Sequence, residues 1–320
     1  MEVKLIMKKI FFLALILLNM FFLVACKNNS NTKKVGILQF VSHESIDKIV
    51  NGIQDGLKEI NMDLDVDLKN ANGNNLTALN IAQKFVGNEY DLIIAVTTGG
   101  AQAVFNATRN KNIPMVFVGV SDPIGAGIIK SKENPETNVT GISDFLDVEA
   151  ELDLVKNLLP DAKKIGVIYN ASEINSCNEL ELLKLKAKDF DYEVETNTIS
   201  STMDINLAMD NILGKVDVMI NLLDNTVMSG LDIEIKKADE KNIPVIGAVR
   251  EQVEKGALAS NSFEQYDLGY ETKDMIKKIL DGESANNIKV KNCETKKLFI
   301  NKDKAKKFKI KIPEGANLIE

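Results

Sequence analysis

Short polar side chains follow several apolar runs of this chain, at the points where a strand would give way to a helix. Hydroxyl, amide and carboxylate groups of this kind bind a small polar molecule through hydrogen bonds and ion pairs. Any one set alone is more often the N-cap of a helix than a ligand site. Ligands of open parallel sheets bind beyond the carboxyl ends of the strands, so several sets on one edge favour a binding cleft. The residues are Thr97 and Thr98 after the run at 91–97, Ser121 and Asp122 after 115–120, Glu173, Asn175 and Ser176 after 164–169, and Asp224 and Asn225 after 216–223.

No familiar catalytic pattern accompanies these side chains. The sequence lacks a Gly-x-Ser-x-Gly turn, a phosphate loop ending in Gly-Lys-Ser/Thr and a Gly-x-Gly-x-x-Gly fingerprint. Its one histidine, His43, fits a hydrogen-bonding wall residue better than a general base. A zinc site needs clustered ligands, and one histidine with three scattered cysteines does not supply them. We therefore predict a binding protein with no cofactor and no metal, not an enzyme.

The elements that must position these residues alternate between strand and helix patterns. Because strands alternate with helices of this length, right-handed βαβ units and parallel sheets are expected. Strands are predicted at 34–40, 91–97, 115–120, 164–169, 192–198, 216–223, 244–249 and 256–260, and helices at 45–60, 76–86, 101–109, 148–159, 176–190, 204–213, 227–241 and 265–280.

Two halves of the chain repeat this order. Each opens with a similar strand, KVGIL at 34–38 and KIGVI at 164–168. The fold class predicted is therefore α/β, with two Rossmann-like parallel-sheet lobes and a hinge. We expect the break between the lobes near residues 141–147.

The first 26 residues have the organisation of an export signal. Lys4, Lys8 and Lys9 precede the uncharged apolar run at 10–25, which is short for a membrane span of about 20 residues. The run ends in Leu-Val-Ala-Cys, which resembles a bacterial lipobox. That resemblance implies a lipoprotein signal peptide at 1–25, lipidation of Cys26 with a diacylglycerol thioether and an acyl chain such as palmitate, and a polar tether at 26–33. An ordinary signal peptide or a membrane anchor is the alternative, and translation could start at Met1 or Met7.

Charge and cysteine usage narrow the partners. The formal net charge is −7, and an acidic surface argues against binding nucleic acid. The lipid on Cys26 would then be the only membrane attachment, on the extracytoplasmic face of the cell membrane. Cys177 and Cys293 are too far apart in sequence to predict whether they form a disulfide.

A family resemblance covers nearly the whole chain after the leader. It rests on ILQFVSH (37–43), the Thr-Thr pair after DLIIAV, VFVGVSDP (116–123), NVTGISD (138–144), LLPDAKKIGVIYNASEINS (158–176) and LLDNTV (222–227). In this order the segments resemble the solute-binding lipoproteins of ABC transporters for aromatic amino acids, namely tryptophan, tyrosine and phenylalanine. The resemblance implies a type I periplasmic-binding-protein fold, with lobes joined by three crossovers that close on a solute, and an ABC permease with its ATPase as partner. It also implies a first lobe of 34–143 plus 264–282 and a second of 144–263 plus 283–320.

An amino-acid ligand assigns roles to the polar residues. Its ammonium needs an anionic partner and its carboxylate needs hydrogen-bond donors. We expect Asp224, with Asp122 as second choice, to bind the ammonium. Thr97, Thr98 and Ser176 would donate hydroxyls to the carboxylate, assisted by helix N-termini.

Aromatic residues near the strand ends suit the rest of such a ligand. Phe40, Tyr169 and Phe263 could stack on its side chain, each contact contributing on the order of 1 kcal/mol. Glu173 and Asn175 either reach the ligand or hold their loop, and the sequence leaves both readings open.

Other functions fit the same fold. The chain could be a surface receptor coupled to a membrane signalling partner, a binder of a nucleoside or a sugar, or a lipid-anchored enzyme. The absence of tryptophan argues mildly against sugars, whose binding walls often use it for stacking.

Overall fold

Apolar strands buried on both faces form the centre of each half of the chain. The computed structural model describes residues 32–293 and 296–320. The predicted signal peptide, Cys26 and most of the tether lie outside these residues. Within the described ranges, no helix is long and apolar enough to cross a membrane.

The first sheet has six strands in the spatial order β11-β5-β4-β3-β1-β2, all in parallel pairs. Every residue of β3 and β4 is buried, as expected for strands covered on both faces. The strands are β1 (Lys33–Gln39), β2 (Leu64–Asn70), β3 (Leu92–Val96), β4 (Met115–Val118), β5 (Val139–Ser143) and β11 (Lys291–Asn292).

Five helices cover this sheet, two on one face and three on the other. One face carries α2 and α3, and the other carries α1 with α10 and α11. Close contact between α1 and α10 depends on Gly52 and Gly269, since an added Cβ would lie 2.1 Å from the Tyr266 carbonyl oxygen and 2.0 Å from that of Ile49. The helices are α1 (Glu44–Glu59), α2 (Asn75–Gly87), α3 (Thr97–Thr108), α10 (Gln265–Tyr270) and α11 (Lys273–Leu280).

The second sheet has seven strands in the order β13-β12-β10-β9-β8-β6-β7, with β10 and β12 antiparallel and the remaining pairs parallel. Its strands are β6 (Lys164–Asn170), β7 (Glu193–Ile199), β8 (Val218–Ile220), β9 (Val245–Ile246), β10 (Ala259–Ser262), β12 (Lys297–Asn301) and β13 (Asn317–Ile319). Its helices are α4 (Val148–Leu158), α5 (Ile174–Ala187), α6 (Ile205–Ile212), α7 (Asn225–Ser229), α8 (Leu231–Glu240), α9 (Arg250–Glu254) and α12 (Lys302–Lys307).

The chain crosses between the two sheets three times: between β5 and α4, between β10 and α10, and between β11 and β12. The α/β class with two parallel-sheet lobes is therefore as predicted.

The segment that contains β11 lies in the first lobe, although it was expected in the second. Residues 283–320 were assigned to the second lobe on the basis of the resemblance, but β11 pairs with β5 through Lys291 and Ile142. Ala285, Ile288 and Val290 bury their side chains against the first sheet. A two-residue strand is too short to show a periodic pattern, and β5 (VTGIS) is too polar to read as a buried strand, so the sequence pattern showed neither strand.

Candidate ligand-binding site between the lobes

A cavity lies between the lobes and is lined by residues of both. The first lobe contributes residues that follow the carboxyl ends of β3, β4 and β5 and residues at the start of α1. The second lobe contributes residues that follow β8 and β9 and the start of α5. Six of the predicted residues line it: Thr97, Thr98, Ser121, Asn175, Asp224 and Asn225.

Apart from Ser121 Oγ, which interacts with the Glu179 carboxyl, four buried polar atoms on this cavity have no hydrogen-bond partner among the described residues. They are His43 Nδ1, Thr97 Oγ1, Asp144 Oδ1 and Gln265 Nε2. Leaving one such group unsatisfied costs about 1–3 kcal/mol, so native structures rarely do so. Four on one cavity, from four separate elements, give a polar ligand or water several groups to bind.

Thr97 has the least favourable backbone of the cavity wall. Its φ is 69°, in the left-handed region that β-branched residues avoid. The helix predicted at 101–109 begins four residues earlier, so Thr97 and Thr98 form the first turn of α3. Free N–H groups and the helix dipole make such a turn favourable for an anion. Strain at this position is therefore associated with a binding surface, as it often is at functional sites.

Asp224 lines the cavity, but its own lobe uses most of its hydrogen-bonding capacity. Its Oδ2 accepts hydrogen bonds from the Asn170 N–H and the Ser176 hydroxyl, both at 2.7 Å. Its Oδ1 caps α7 by accepting the Val227 N–H at 2.9 Å. Burial, reinforced by the nearby Glu173 charge, raises the pKa of Asp224 to about 6. Ser176 is fully buried and lines no part of this cavity, so its hydroxyl supports Asp224.

Glu173 holds the loop in front of α5. Its two oxygens accept hydrogen bonds from the backbone and side chains of Asn225 and Thr226 at 2.8–3.0 Å. Asn175 donates its amide to the Leu223 carbonyl at 2.6 Å and still lines the cavity. Glu173 instead lines a larger, mostly uncharged depression of about 1510 Å³, which shares Thr98, Asn175 and Asn225 with the cavity.

Asp122, Tyr169, Phe263 and Phe40 lie away from the central cavity. Asp122 accepts the Gly125 N–H at 2.8 Å and the Asn178 amide of the second lobe at 3.1 Å. Tyr169 packs on the core of the second lobe, and Phe263 is buried in the core of the first. Phe40 packs against Gly99 in the first turn of α3 and lines only the larger depression. The predicted aromatic stacking residues therefore do not meet at the central cavity.

Several cavity residues were not predicted from the sequence, above all Asp144. This residue directly follows β5, so identifying that strand would have placed it on the binding edge. Burial raises the pKa of Asp144 to about 7, with Lys132 acting in the opposite direction. Gly119 lies beside the carboxylate with φ 68°, a conformation that suits glycine. Ser45, Gln252 and Gln265, near the starts of α1, α9 and α10, also line the cavity.

Direct contacts hold the two lobes together over the cavity. Lys48 on α1 lies 3.0 Å from Glu251 Oε1 and 3.1 Å from Glu254 Oε2, both on α9 of the second lobe. His43 Nε2 lies 3.4 Å from Asn225 Oδ1 across the cleft, and burial lowers the pKa of this histidine. The structure is thus a closed form.

Comparison with known proteins gives consistent matches over most of the chain. The sequence profile of the family described as ABC transporter substrate binding protein matches residues 34–318. A protein of Clostridioides difficile (strain R20291) named tyrosine-binding protein is 38% identical over 283 residues, which are 87% of this chain and 81% of the relative.

Solved structures of related proteins have the same fold, and two of them allow a comparison with a liganded form and with an open form. A Streptococcus pneumoniae ABC domain in complex with L-Trp is 34% identical with a TM-score of 0.86, over 90% of this chain and all of that one. A ligand-free, open substrate-binding protein from Clostridium difficile is 38% identical and matches with a TM-score of only 0.70, over 90% of this chain and 99% of that one. Remote neighbours such as a Thermotoga maritima leucine-binding protein (13% identity, TM-score 0.60, 80% of this chain and 90% of that one) share the fold alone. These matches confirm the type I periplasmic-binding-protein fold, and the higher score for the liganded relative agrees with a closed form.

Proposed function

Because this chain belongs to the family of ABC transporter substrate-binding proteins, we propose that it captures an aromatic amino acid outside the cytoplasm and delivers it to an ABC permease. The lipid on Cys26 would hold it at the extracytoplasmic face of the membrane, beside that permease. Closure of the two lobes on the ligand is the mechanism.

The observation that supports an amino acid most strongly is the set of unpartnered polar atoms on the cavity. Asp144 offers an anionic acceptor, while Thr97 and Gln265 offer donors. A zwitterion carries one cation and one anion, so it can satisfy both kinds of group in one small molecule. A ligand without a cationic group would give no counter-charge to the ionised form of this buried carboxyl.

Apolar residues of the same cavity suit the ligand's side chain. Ile46 comes from the first lobe, and Leu222, Met228 and Val249 come from the second. Methionine sulfur makes favourable contacts with aromatic rings, of about 0.3–1.5 kcal/mol. The names of two relatives, one tyrosine-binding and one solved with L-Trp, point to the same ligand class.

Closure follows from how the cavity is divided. Thr97 and Asp144 belong to the first lobe, whereas Asn225 and Met228 belong to the second. A ligand bound to the first lobe gains further contacts only when the second lobe closes, so binding shifts the population toward the closed form.

Calorimetric titration of the lipid-free protein tests the proposal. The panel contains all common amino acids together with representative nucleosides and sugars. We expect saturable binding of tyrosine, tryptophan or phenylalanine at micromolar or lower Kd. Binding of a sugar or nucleoside in preference to every amino acid would overturn the assignment of the ligand. Delivery to a permease is tested separately, by a loss of uptake of the labelled amino acid in cells that lack this protein.

A further inference from the structure

We propose that Asp144, and neither Asp224 nor Asp122, binds the ammonium of the ligand, so that the site requires a free α-amino group. This inference rests on the proposed function, because only an amino-acid ligand presents that cation. The residue that selects the ligand is then Asp144, whereas the sequence predicts Asp224.

The position of Asp144 favours this role. Its side chain is 8% exposed, lines the central cavity and follows directly from β5, whose five residues are all buried. Its Oδ1 is shielded from solvent and has no partner among the described residues. A buried carboxylate is costly unless it is paired with a cation or with hydrogen-bond donors.

No cation of the described protein pairs with Asp144. The nearby positive charge is Lys132, and this lysine donates its Nζ to Asn292 Oδ1 at 2.7 Å. Among the ion pairs of residues 32–293 and 296–320, none includes Asp144. The ammonium of the ligand is therefore the cation that we expect beside the Asp144 carboxylate.

The two alternative carboxylates are already engaged. Asp224 accepts three hydrogen bonds from Asn170, Ser176 and Val227 of its own lobe. Asp122 accepts one bond on each oxygen, from Gly125 and Asn178, and lies outside the cavity lining. Both carboxylates therefore already have hydrogen-bond donors from the protein on each oxygen, whereas Asp144 Oδ1 has none.

Thr97 and Asp144 lie at the same edge of the first sheet. Thr97 follows β3 and Asp144 follows β5, and these strands lie on either side of β4. Neighbouring strands are about 4.8 Å apart, so the backbones at the two positions are about 10 Å from each other. Thr97, Thr98 and Asp144 line the same cavity, so the first lobe offers a place for each charged group of one amino acid, with the carboxylate at Thr97 and Thr98.

The test compares each amino acid with its analogue that lacks the amino group. We would titrate tyrosine and 3-(4-hydroxyphenyl)propionate into the wild-type protein and into Asp144→Asn, Asp224→Asn and Asp122→Asn. Each substitution removes one charge and nearly preserves shape, so the variants are matched controls for one another. Circular dichroism and thermal unfolding show whether each variant folds.

In the wild-type protein we expect the analogue to bind at least about 30-fold more weakly than tyrosine, since losing one partner of a buried charge pair typically costs that much or more. In Asp144→Asn the ratio of the two affinities should fall to a few-fold. Tyrosine should bind less tightly than it binds to the wild-type protein, whereas the affinity for the analogue should stay the same. Asp224→Asn and Asp122→Asn should keep the wild-type ratio.

The outcomes separate the two claims. Retained discrimination in Asp144→Asn, or its loss in Asp224→Asn instead, would overturn the role of Asp144 while leaving an amino-acid binding protein. Failure of the wild-type protein to bind any amino acid would overturn the proposed function itself. If Asp144→Asn does not fold, Asp144→Ser, which also lacks the charge, makes the same comparison with the analogue.

Discussion

Asp144 and its neighbours make the site sensitive to pH at the level of single residues. Burial raises the pKa of Asp144 to about 7 in the ligand-free closed form, and Lys132 opposes that rise. Glu179 of the second lobe also faces this region, and burial raises its pKa to about 8. In the closed form without a ligand, both carboxyls are therefore substantially protonated near neutral pH.

A bound ammonium favours the ionised form of Asp144, so it lowers that pKa and expels the proton. Affinity for an aromatic amino acid should therefore rise with pH between 5 and 7, by up to about tenfold per pH unit. Titration calorimetry at pH 5, 6 and 7 measures this slope. Asp144→Asn is the control, and a slope that persists in it would assign the effect to another group, such as Glu179 or Asp224.

Sequence reasoning predicted part of the residue set for a clear physical reason. Thr97, Thr98, Ser121 and Asn225 follow strands whose apolar character is evident, and all four line the cavity. Asp144 was missed because the strand before it contains Thr, Gly and Ser. Phe263 was misplaced because an aromatic residue after a strand can as well point into a core as into a cleft.

At the scale of elements, α1 and α9 connect the closed lobes through one lysine. Lys48 is about one-third exposed, while its partner Glu251 is completely buried. Burial raises the pKa of Glu251 and Lys48 opposes that rise. Because the pair joins different lobes, we expect it to form when the cleft closes and to break when it opens.

We expect Lys48→Met to disfavour closure, because closing would then bury Glu251 without its cation. The loss of ligand affinity should be on the order of tenfold, below the full cost of breaking a buried pair because Lys48 is partly solvated. Titration calorimetry measures the affinity, and small-angle scattering measures the population of the open form.

Lys58→Met on the same helix is the matched control, since Lys58 pairs with Asp55 within its own lobe and is well exposed. It should leave both measurements unchanged. Equal effects from the two variants would mean that the contact between Lys48 and α9 has no special part in closure.

The limits of sequence reasoning at this scale follow from element length. Long apolar strands such as β3 and long amphipathic helices such as α1 have strong periodic signals. The two-residue β11 has none, and only its pairing with β5 in three dimensions reveals its lobe. Pairing between distant segments is tertiary information that no local pattern contains.

At the scale of the whole molecule, the predicted lipid anchor would determine where the two lobes act. A diacylglycerol thioether with a further acyl chain anchors a protein stably, at roughly 0.8 kcal/mol per buried methylene. Cys26 lies outside the described residues, so this prediction rests on the Leu-Val-Ala-Cys sequence alone.

Cys26→Ala should prevent lipidation and release the protein from the membrane fraction, while affinity for the ligand stays the same. Labelling with radioactive palmitate and fractionation of cells measure the first effect, and titration of the purified variant measures the second. Cys177→Ala is the control, since this residue lies in α5 and should not affect labelling. Labelling that survives in Cys26→Ala would remove the lipobox assignment.

The unpartnered atoms of His43, Thr97, Asp144 and Gln265 also bear on how the host uses ATP. Shutting the cleft without a ligand leaves all four to water or to no partner, and an unsatisfied buried group costs about 1–3 kcal/mol. An empty shut form should therefore be less populated than the open form. A permease that engages only the shut form would then seldom meet an unloaded carrier, and futile rounds of nucleotide hydrolysis would be suppressed by the binding protein itself.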